Sequence, residues 1–385
     1  MICLSVYNSL TSLPVLHKYN FSMEIFSLIN SAAQTILDYA AASEEAGRLH
    51  PEIISLIEQE RWFKLYLPEA IGGIDIELPA ILRLLESIAM TDGSTGWTVT
   101  LCSGASWFAG FLEEELRNLV FKSVNTCITG SGAAGGTAIV VPDDGYLING
   151  SWKYASGALH ATHFTANCYI KHSDGSAVRD EQGEEIIRSF IFDRTEVTTA
   201  PTWSYIGMVA TGSHGFEVNN LLVPKNRSFQ INSDLKMQTN AGNYPFLQLA
   251  ETTLAVNFSG MALHFLEVAE PSVLNSDNLK RFPAHHATII RESFAKQKQV
   301  LADARTEFFQ IADKSWSDLQ HKKLEESLLQ EVSRVSRTLA HVSRRVTDNL
   351  FPYCGLDAAK NTTVLNRIWR DMHTASQHSL LTFET

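Results

Sequence analysis

The chain is poor in the features that would anchor it in a bilayer, cross-link it or bind it to a polyanion. No run approaches the roughly 18 to 20 consecutive apolar residues that a membrane-spanning helix requires, so no membrane partner is expected. Cysteine is scarce: Cys3, Cys102, Cys127, Cys168 and Cys354 lie far apart, with no C-x-x-C pair. An odd, dispersed set of this kind suits free thiols in a reducing cytoplasm, not a disulfide framework. Positive charge is in deficit, with a net charge of −11 when the histidines are neutral. That excess of acid argues against nonspecific binding to nucleic acid or to anionic membranes. No H-E-x-x-H, G-x-S-x-G or D-F-G set occurs, nor the G-K-[ST] that completes a Walker P-loop, so protease, hydrolase and kinase readings lack support.

The opening stretch "MICLSVYNSLTSLPVLHKYNFSM" has neither the basic n-region nor the small-residue cleavage site of a secretory signal. Residues 1–22 read as a poorly ordered extension, and a cytoplasmic location is expected.

What is present is enough apolar material for a real interior: 45% hydrophobic and 19% charged residues over 385 positions, a length that favours two or three domains. From Met23 apolar residues recur at three- and four-residue steps, as in Ile25, Leu28, Ala32 and Ile36, and again in Leu78, Ile81, Leu82 and Leu85. This spacing predicts helices over residues 23–124. Short β-rich runs broken by Gly, Asp and Pro then predict a β domain over 125–232. Long helical patterns return over 233–385: about 244–270 ended by Pro271, then 284–316, 323–350 and 361–382. The order is α, then β, then α.

Three stretches carry candidate chemistry. "GSGAAGG", residues 130–136, follows a strand without opening a helix, so it is not a dinucleotide fingerprint. A glycine-rich loop between strands lets backbone N–H groups approach a flat ring or a phosphate; an ordinary flexible loop is an equally available reading. In "SWKYASGALHATHF", residues 151–164, His160 and His163 are three apart, which on a strand means opposite faces. With no cysteine or carboxylate partner nearby, no metal site is expected. In "NRIWRDMHTASQHSL", Asp371, Ala375 and His378 or Ser379 fall along one helical stripe. His373 and His378 are about 140° apart around such a helix, so at most one faces a given cleft. Either histidine taken alone reads as a surface or satisfied residue.

The three-part order, and where these motifs fall in it, resemble the acyl-CoA dehydrogenase superfamily over nearly everything from Met23 onward. "CITGSGAAGG" occupies the place of that family's C-x-T-E-P-x-A-G-S segment. "YLINGSWKYASG" looks like its I-x-G-x-K-x-W-I-T-N segment, with Tyr154 at the tryptophan and Ser156 at the threonine. "GMVATGSHGFEVNNLLVP" is similar to its G-x-x-x-T-x-S segment, and "CGLDAAKNTTVLNRIWRD" to its G-G to R-D stretch. The pairing of W-x-[FY]-x-S-G with T-G-S-H and W-R-D-x-H-x-A-x-x-H resembles, in particular, the two-component flavin hydroxylases. Those enzymes take reduced flavin from a partner reductase and use it with O2.

The resemblance implies the acyl-CoA dehydrogenase fold: an α-helical N-terminal domain, a middle β-barrel or sandwich domain, and a C-terminal four-helix bundle. It implies FAD or FMN bound by Gly130, Gly132, Gly135, Gly136, Tyr154, Ser156, Thr211, Ser213, Gly355, Arg370 and Asp371, with Ser156 near the N5 edge of the ring. His378 would serve substrate and oxygen as an exchanger of protons. A small aromatic or other apolar substrate would find Trp97, Trp107, Phe108 and Trp203 available to line its cavity, although core packing accounts for each of them as well. A separate flavin reductase and a homotetramer of D2 symmetry, or at least a dimer, follow from the same likeness. There are departures. The usual glutamate base is Ser379 here, Ala105 or Ser106 stands where several hydroxylases have a histidine, and Val209 or Ala210 replaces a common arginine. Two other readings stay open: an acyl-CoA dehydrogenase that uses Glu251 as base, and a flavin-binding relative without activity.

Overall fold

A computed structural model describes residues 21–142, 144–231 and 235–383. The extension expected over 1–22 therefore lies outside the described residues up to position 20, and helix α1 (Phe21–Ala46) starts at once. It is followed by α2 (Pro51–Gln59), α3 (Leu78–Thr91), α4 (Gly93–Ser106) and α5 (Glu114–Val120). Local chemistry accounts for the shorter helices well. In α2, Pro51 takes the first helical position, His50 accepts the Glu52 N–H, and Ile53 and Ile57 bury one face four residues apart.

Among the described residues seven strands follow: β1 (Ile128–Val141), β2 (Gly145–Ala155), β3 (His163–Lys171), β4 (Ile187–Asp193), β5 (Thr198–Ala200), β6 (His214–Val223) and β7 (Ser228–Phe229). They form one sheet in the order β5-β6-β2-β1-β3-β4-β7, in which β1 and β3 are parallel and the remaining pairs antiparallel. Trp152, Phe164, Phe190, Phe192 and Phe216 make its core. The chain then returns to helix: α6 (Phe246–Val273), α7 (Ser276–Leu279), α8 (Ala284–Gln320), α9 (Glu326–Leu350) and α10 (Val364–Ala375). Helix α9 buries Val332, Val335, Leu339, Val342, Val346 and Leu350 along one stripe, the pattern of a helix packed on one side.

By density of contact the chain divides into two compact units. A sheet unit comprises Ala42–Leu78 and Trp97–Phe246; a helical unit comprises Met1–Ala41, Pro79–Gly96 and Leu247–Thr385. These boundaries cut across the sequential α, β, α segments, because the N-terminal helical stretch contributes to both units.

Three local expectations change. The glycine-rich segment 130–136 is not a loop: it lies within β1, whose pairing with β3 shifts register between Ser131 and Ala134 and again before Gly136. Pro271 does not end α6 but sits inside its last turn, where one lost amide hydrogen bond near a terminus is tolerable. Helix α10 stops at Ala375, and His378 instead caps a short turn, Ser379–Leu381.

Candidate functional site

The best-defined polar site in the sheet unit begins with a bulge. Trp152 pairs with Phe216 and Ala155 with His214, so Lys153 and Tyr154 together stand opposite Gly215. Tyr154 takes φ +67°, the left-handed conformation that bulges use to turn a strand. The turn lets Trp152 and Ala155, three apart, both point into the core, and it drives Ser156 inward after them. The Ser156 carbonyl accepts hydrogen bonds from Thr129 Oγ1 and Cys102 Sγ. Its Oγ lies 2.8 Å from Ser213 Oγ, Ser213 Oγ lies 2.7 Å from Thr211 Oγ1, and Thr211 Oγ1 donates to the Met208 carbonyl at 2.7 Å. Gly157 N–H closes the arrangement on Thr211 O at 2.8 Å. Three residues named from the sequence, Ser156, Thr211 and Ser213, are thus brought into one buried chain of hydroxyls.

Beside them in the sheet unit, Tyr154, Trp203 and Tyr205 form an aromatic trio, with Trp203 and Tyr205 ring centroids 4.2 Å apart. Tyr154 and Tyr205 are 60% and 46% exposed, an open aromatic face with hydroxyls at its edge. Trp203 is pinned by its Nε1–H on Met208 O at 2.9 Å and its N–H on His214 Nδ1. Sequence reasoning missed Met208 and Tyr205. The left-handed φ of Met208, unusual for an unbranched apolar residue, has no visible signal in the string.

Three of the four glycines named from segment 130–136 answer to their neighbours in the sheet. A Cβ on Gly136 would lie 2.4 Å from the Trp152 ring, one on Gly135 2.6 Å from Ser151 O, and one on Gly130 2.3 Å from Thr165 O. These three allow close packing of the sheet. Only Gly132 of the four has nothing within 4 Å of the position its Cβ would take.

The aromatics expected at a substrate cavity also divide. Trp107 is buried, stacks on Phe246 at 5.4 Å and donates from Nε1 to Ala241 O. Phe108 packs on Phe229 and Phe246, and Trp97 is buried. Trp107 is a core residue, and Phe108 is partly buried against the same aromatic cluster. An open cavity of about 490 Å³ in this unit is lined by Leu116, Val120, His163, Phe192, Asp193 and Arg227 among others, and includes none of the residues named above for flavin or substrate.

In the helical unit, His378 is partly buried, and its Nδ1 accepts the Leu380 N–H at 3.4 Å. Burial lowers its pKa below the ordinary imidazole value, so the ring is neutral near pH 7 and its proton sits on Nε2. Arg370 donates to Asn366 Oδ1 at 2.7 Å and to Asn361 O. Asp371 is buried close to Gly93, and Gly355 takes φ +80°. Glu251 is fully buried, with Oε1 accepting from Arg337 Nη2 at 2.8 Å and Oε2 from Ser333 Oγ. Both of its oxygens are engaged by partners within the chain, in the geometry of a buried ion pair. Arg337 and Ser333 carry no signature in the sequence that would have revealed this lock. Among the described residues no group of three or more His, Cys, Asp or Glu side chains could hold a metal.

The family described as "Acyl-CoA dehydrogenase, C-terminal domain" matches residues 276–383. The oxygenase subunit HsaA of a flavin-dependent monooxygenase from Mycobacterium tuberculosis is 25% identical, covering 93% of this chain and 92% of its own length. An indole-3-acetate monooxygenase from Acinetobacter baumannii is 22% identical over 92% and 90% of the two chains. Among solved structures, the 3-HSA hydroxylase from Rhodococcus sp. RHA1 superposes with a TM-score of 0.82 at 21% identity, over 93% of each chain. XiaF from Streptomyces sp., in complex with FADH2 and glycerol, gives 0.77 at 20% identity over 93% of this chain and 91% of its own. FMN-bound TdsC from Paenibacillus sp. A11-2 gives 0.76 at 17% identity over 94% and 95%. The chain has the fold of these proteins along nearly its whole length, and its C-terminal region, residues 276–383, matches the acyl-CoA dehydrogenase C-terminal domain.

Proposed function

We propose that this protein is a flavin-dependent monooxygenase that uses reduced flavin and O2 on a small aromatic or other apolar substrate. The observation that carries this reading over simple dehydrogenation is the state of the carboxylates. Ser379 stands where a dehydrogenase commonly has its glutamate, and Glu251 is tied to Arg337 and Ser333. Removing an α-proton from a thioester requires a free base within reach. Two relatives similar over nine-tenths of the chain are named as monooxygenases, which supports the same choice.

When bound, reduced FMN or FAD supplies the two electrons that activate O2. The residues offered to it in the sheet unit fit such a group: the aromatic rings of Tyr154 and Trp203, set edge to face, and the Ser156 hydroxyl, anchored through Ser213 and Thr211, for a ring nitrogen. In the helical unit, Arg370, Asp371 and Gly355 are the residues the resemblance assigns to flavin. His378, neutral and carrying its proton on Nε2, is the group assigned to proton exchange with substrate and oxygen. A separate reductase would deliver the reduced flavin, as the designation "oxygenase subunit" of the relative implies for that protein. The proposal extends to a cytoplasmic homotetramer or dimer, supported by Ile289 and Val300 left exposed on the 37-residue α8. No described helix is long and apolar enough to cross a membrane.

The test pairs two reactions. Oxygen consumption with reduced flavin and a panel of aromatics should proceed, and His378→Ala should slow product formation by about a hundredfold, the scale of losing a general acid or base. Glu251→Gln should leave the chemistry largely intact. Rapid anaerobic bleaching of bound flavin by any acyl-CoA would overturn this reading in favour of a dehydrogenase, and absence of binding to any flavin would leave only a structural relative.

A further inference from the structure

The chain of hydroxyls has a direction, and the direction is set at its far end. A carbonyl oxygen only accepts, so the Thr211 proton must lie on the 2.7 Å line to Met208 O; without it, two oxygens that close would repel. Thr211 Oγ1 has then spent its one proton and can only accept from Ser213, 2.7 Å away. Ser213 in turn has none left for Ser156, so across their 2.8 Å contact Ser156 must be the donor. Every hydroxyl points the same way, and the residue at the near end is left with lone pairs and no proton to offer. All four residues are buried, so water does not readily reset the order.

From this we infer that the Ser213–Thr211–Met208 relay makes Ser156 a hydrogen-bond acceptor only, and thereby selects reduced over oxidised flavin. The inference rests on the reading that flavin sits with its N5 against Ser156. Oxidised flavin has a bare lone pair at N5, whereas the reduced ring carries N5–H. An acceptor-only oxygen matches the second and opposes the first, and facing two acceptors in a buried site costs free energy that a donor–acceptor pair does not. Ser213 and Thr211 act as positioning residues: neither needs to touch the cofactor. Such a device would let the protein take up reduced flavin and let go of it once reoxidised.

The experiment is anaerobic titration of the purified full-length protein with reduced and oxidised FMN and FAD, using the better-bound flavin thereafter, with the midpoint potential of the bound flavin as a second readout. The wild type should bind the reduced form at least tenfold more tightly. Each tenfold preference raises the potential of a two-electron couple by about 30 mV. Ser213→Ala removes the acceptor for the Ser156 proton, and Thr211→Val frees the Ser213 proton to turn toward Ser156. Either should restore a donor at Ser156 and shrink the preference at least fivefold, chiefly by tightening oxidised flavin. Thr211→Ser keeps the relay and should keep the preference. Loss of packing alone would weaken both forms in parallel and leave the potential unmoved. A preference within twofold of wild type in both Ser213→Ala and Thr211→Val, with flavin still bound, overturns the relay while leaving the flavin reading intact. A wild type that favours oxidised flavin overturns it too, and one that binds neither form overturns both.

Discussion

Two buried polar centres, one in each unit, are built by opposite means. In the sheet unit the buried polar centre is neutral: Ser156, Ser213 and Thr211, closed by a carbonyl. In the helical unit it is charged: Glu86 held in a fork by Arg305 Nε and Nη2 at 2.7 and 2.6 Å, and Glu251 held by Arg337 at 2.8 Å. A neutral hydroxyl can exchange one partner for another at small cost, so it can serve a ligand that comes and goes. A buried ion pair cannot, because removing either partner strands a charge. The contrast separates residues able to do chemistry from residues that hold helices together, and it puts Glu251 in the second group.

The contrast breaks most sharply at Arg305. Glu86 also accepts a hydrogen bond from Ser259 Oγ, so Arg305→Met would leave its buried carboxylate with that hydroxyl in place of the guanidinium. A loss of about 3 kcal/mol or more is expected in urea unfolding followed by far-UV circular dichroism. Ser213→Ala in the sheet unit should cost about 1 kcal/mol, the scale of one neutral hydrogen bond. Equal losses for the two would erase the distinction between the units.

The next effect concerns what the units share, since each holds a histidine whose pKa is lowered to about 4. Burial and the nearby Arg367 guanidinium hold His264 at about 4, and burial with Arg48 does the same for His160. Unfolded, either ring would take up a proton near pH 6.5. Between about 6.5 and 4 the unfolded chain therefore binds more protons than the folded one, and stability falls as pH falls through that window. The slope should approach about 1.4 kcal/mol per pH unit for each histidine. His264→Gln and His160→Gln should each flatten the curve by one such share, measured as unfolding free energy at pH 7 and pH 4.5. Unchanged slopes in both variants would place the sensitivity elsewhere.

Most of the architecture was legible because hydrophobic period is local: the change from three- and four-residue steps to short β-rich runs near residue 125 marks the start of the sheet. Ser156, Thr211 and Ser213 were legible as members of motifs. Their direction was not, since it depends on Met208 O, which no side chain advertises. The glycines misled for a related reason. Gly130, Gly135 and Gly136 answer to the Trp152 ring and the Thr165 backbone, partners 16 to 35 residues away in the string, and a run of glycine looks the same whether it admits a ligand or a neighbouring strand. Glu251 read as a possible base because its lock, Arg337, lies 86 residues on. The divided units were hidden by chain order, because Pro79–Gly96 joins helices that begin 150 residues later.

The smallest effect isolates burial from geometry. Arg83 grips Asp313 through Nη1 and Nη2 at 3.0 and 2.7 Å, a two-bonded fork like the one Arg305 makes on Glu86 through Nε and Nη2, and both pairs join α3 to α8. Both guanidinium groups also lie over the Phe309 ring, at 4.6 and 5.5 Å. They differ in solvent access: the Arg83 and Asp313 side chains are 43% and 39% exposed, the Glu86 side chain 7%. Water already solvates the outer pair, so Asp313→Asn should cost no more than about 0.5 kcal/mol, and less in high salt. Glu86→Gln makes the matching change at the inner pair and should cost several times as much, with little dependence on salt. If the two substitutions proved equal, the fork and the shared ring would outweigh burial, and the rule used to assign Glu251 a structural role would lose its physical basis.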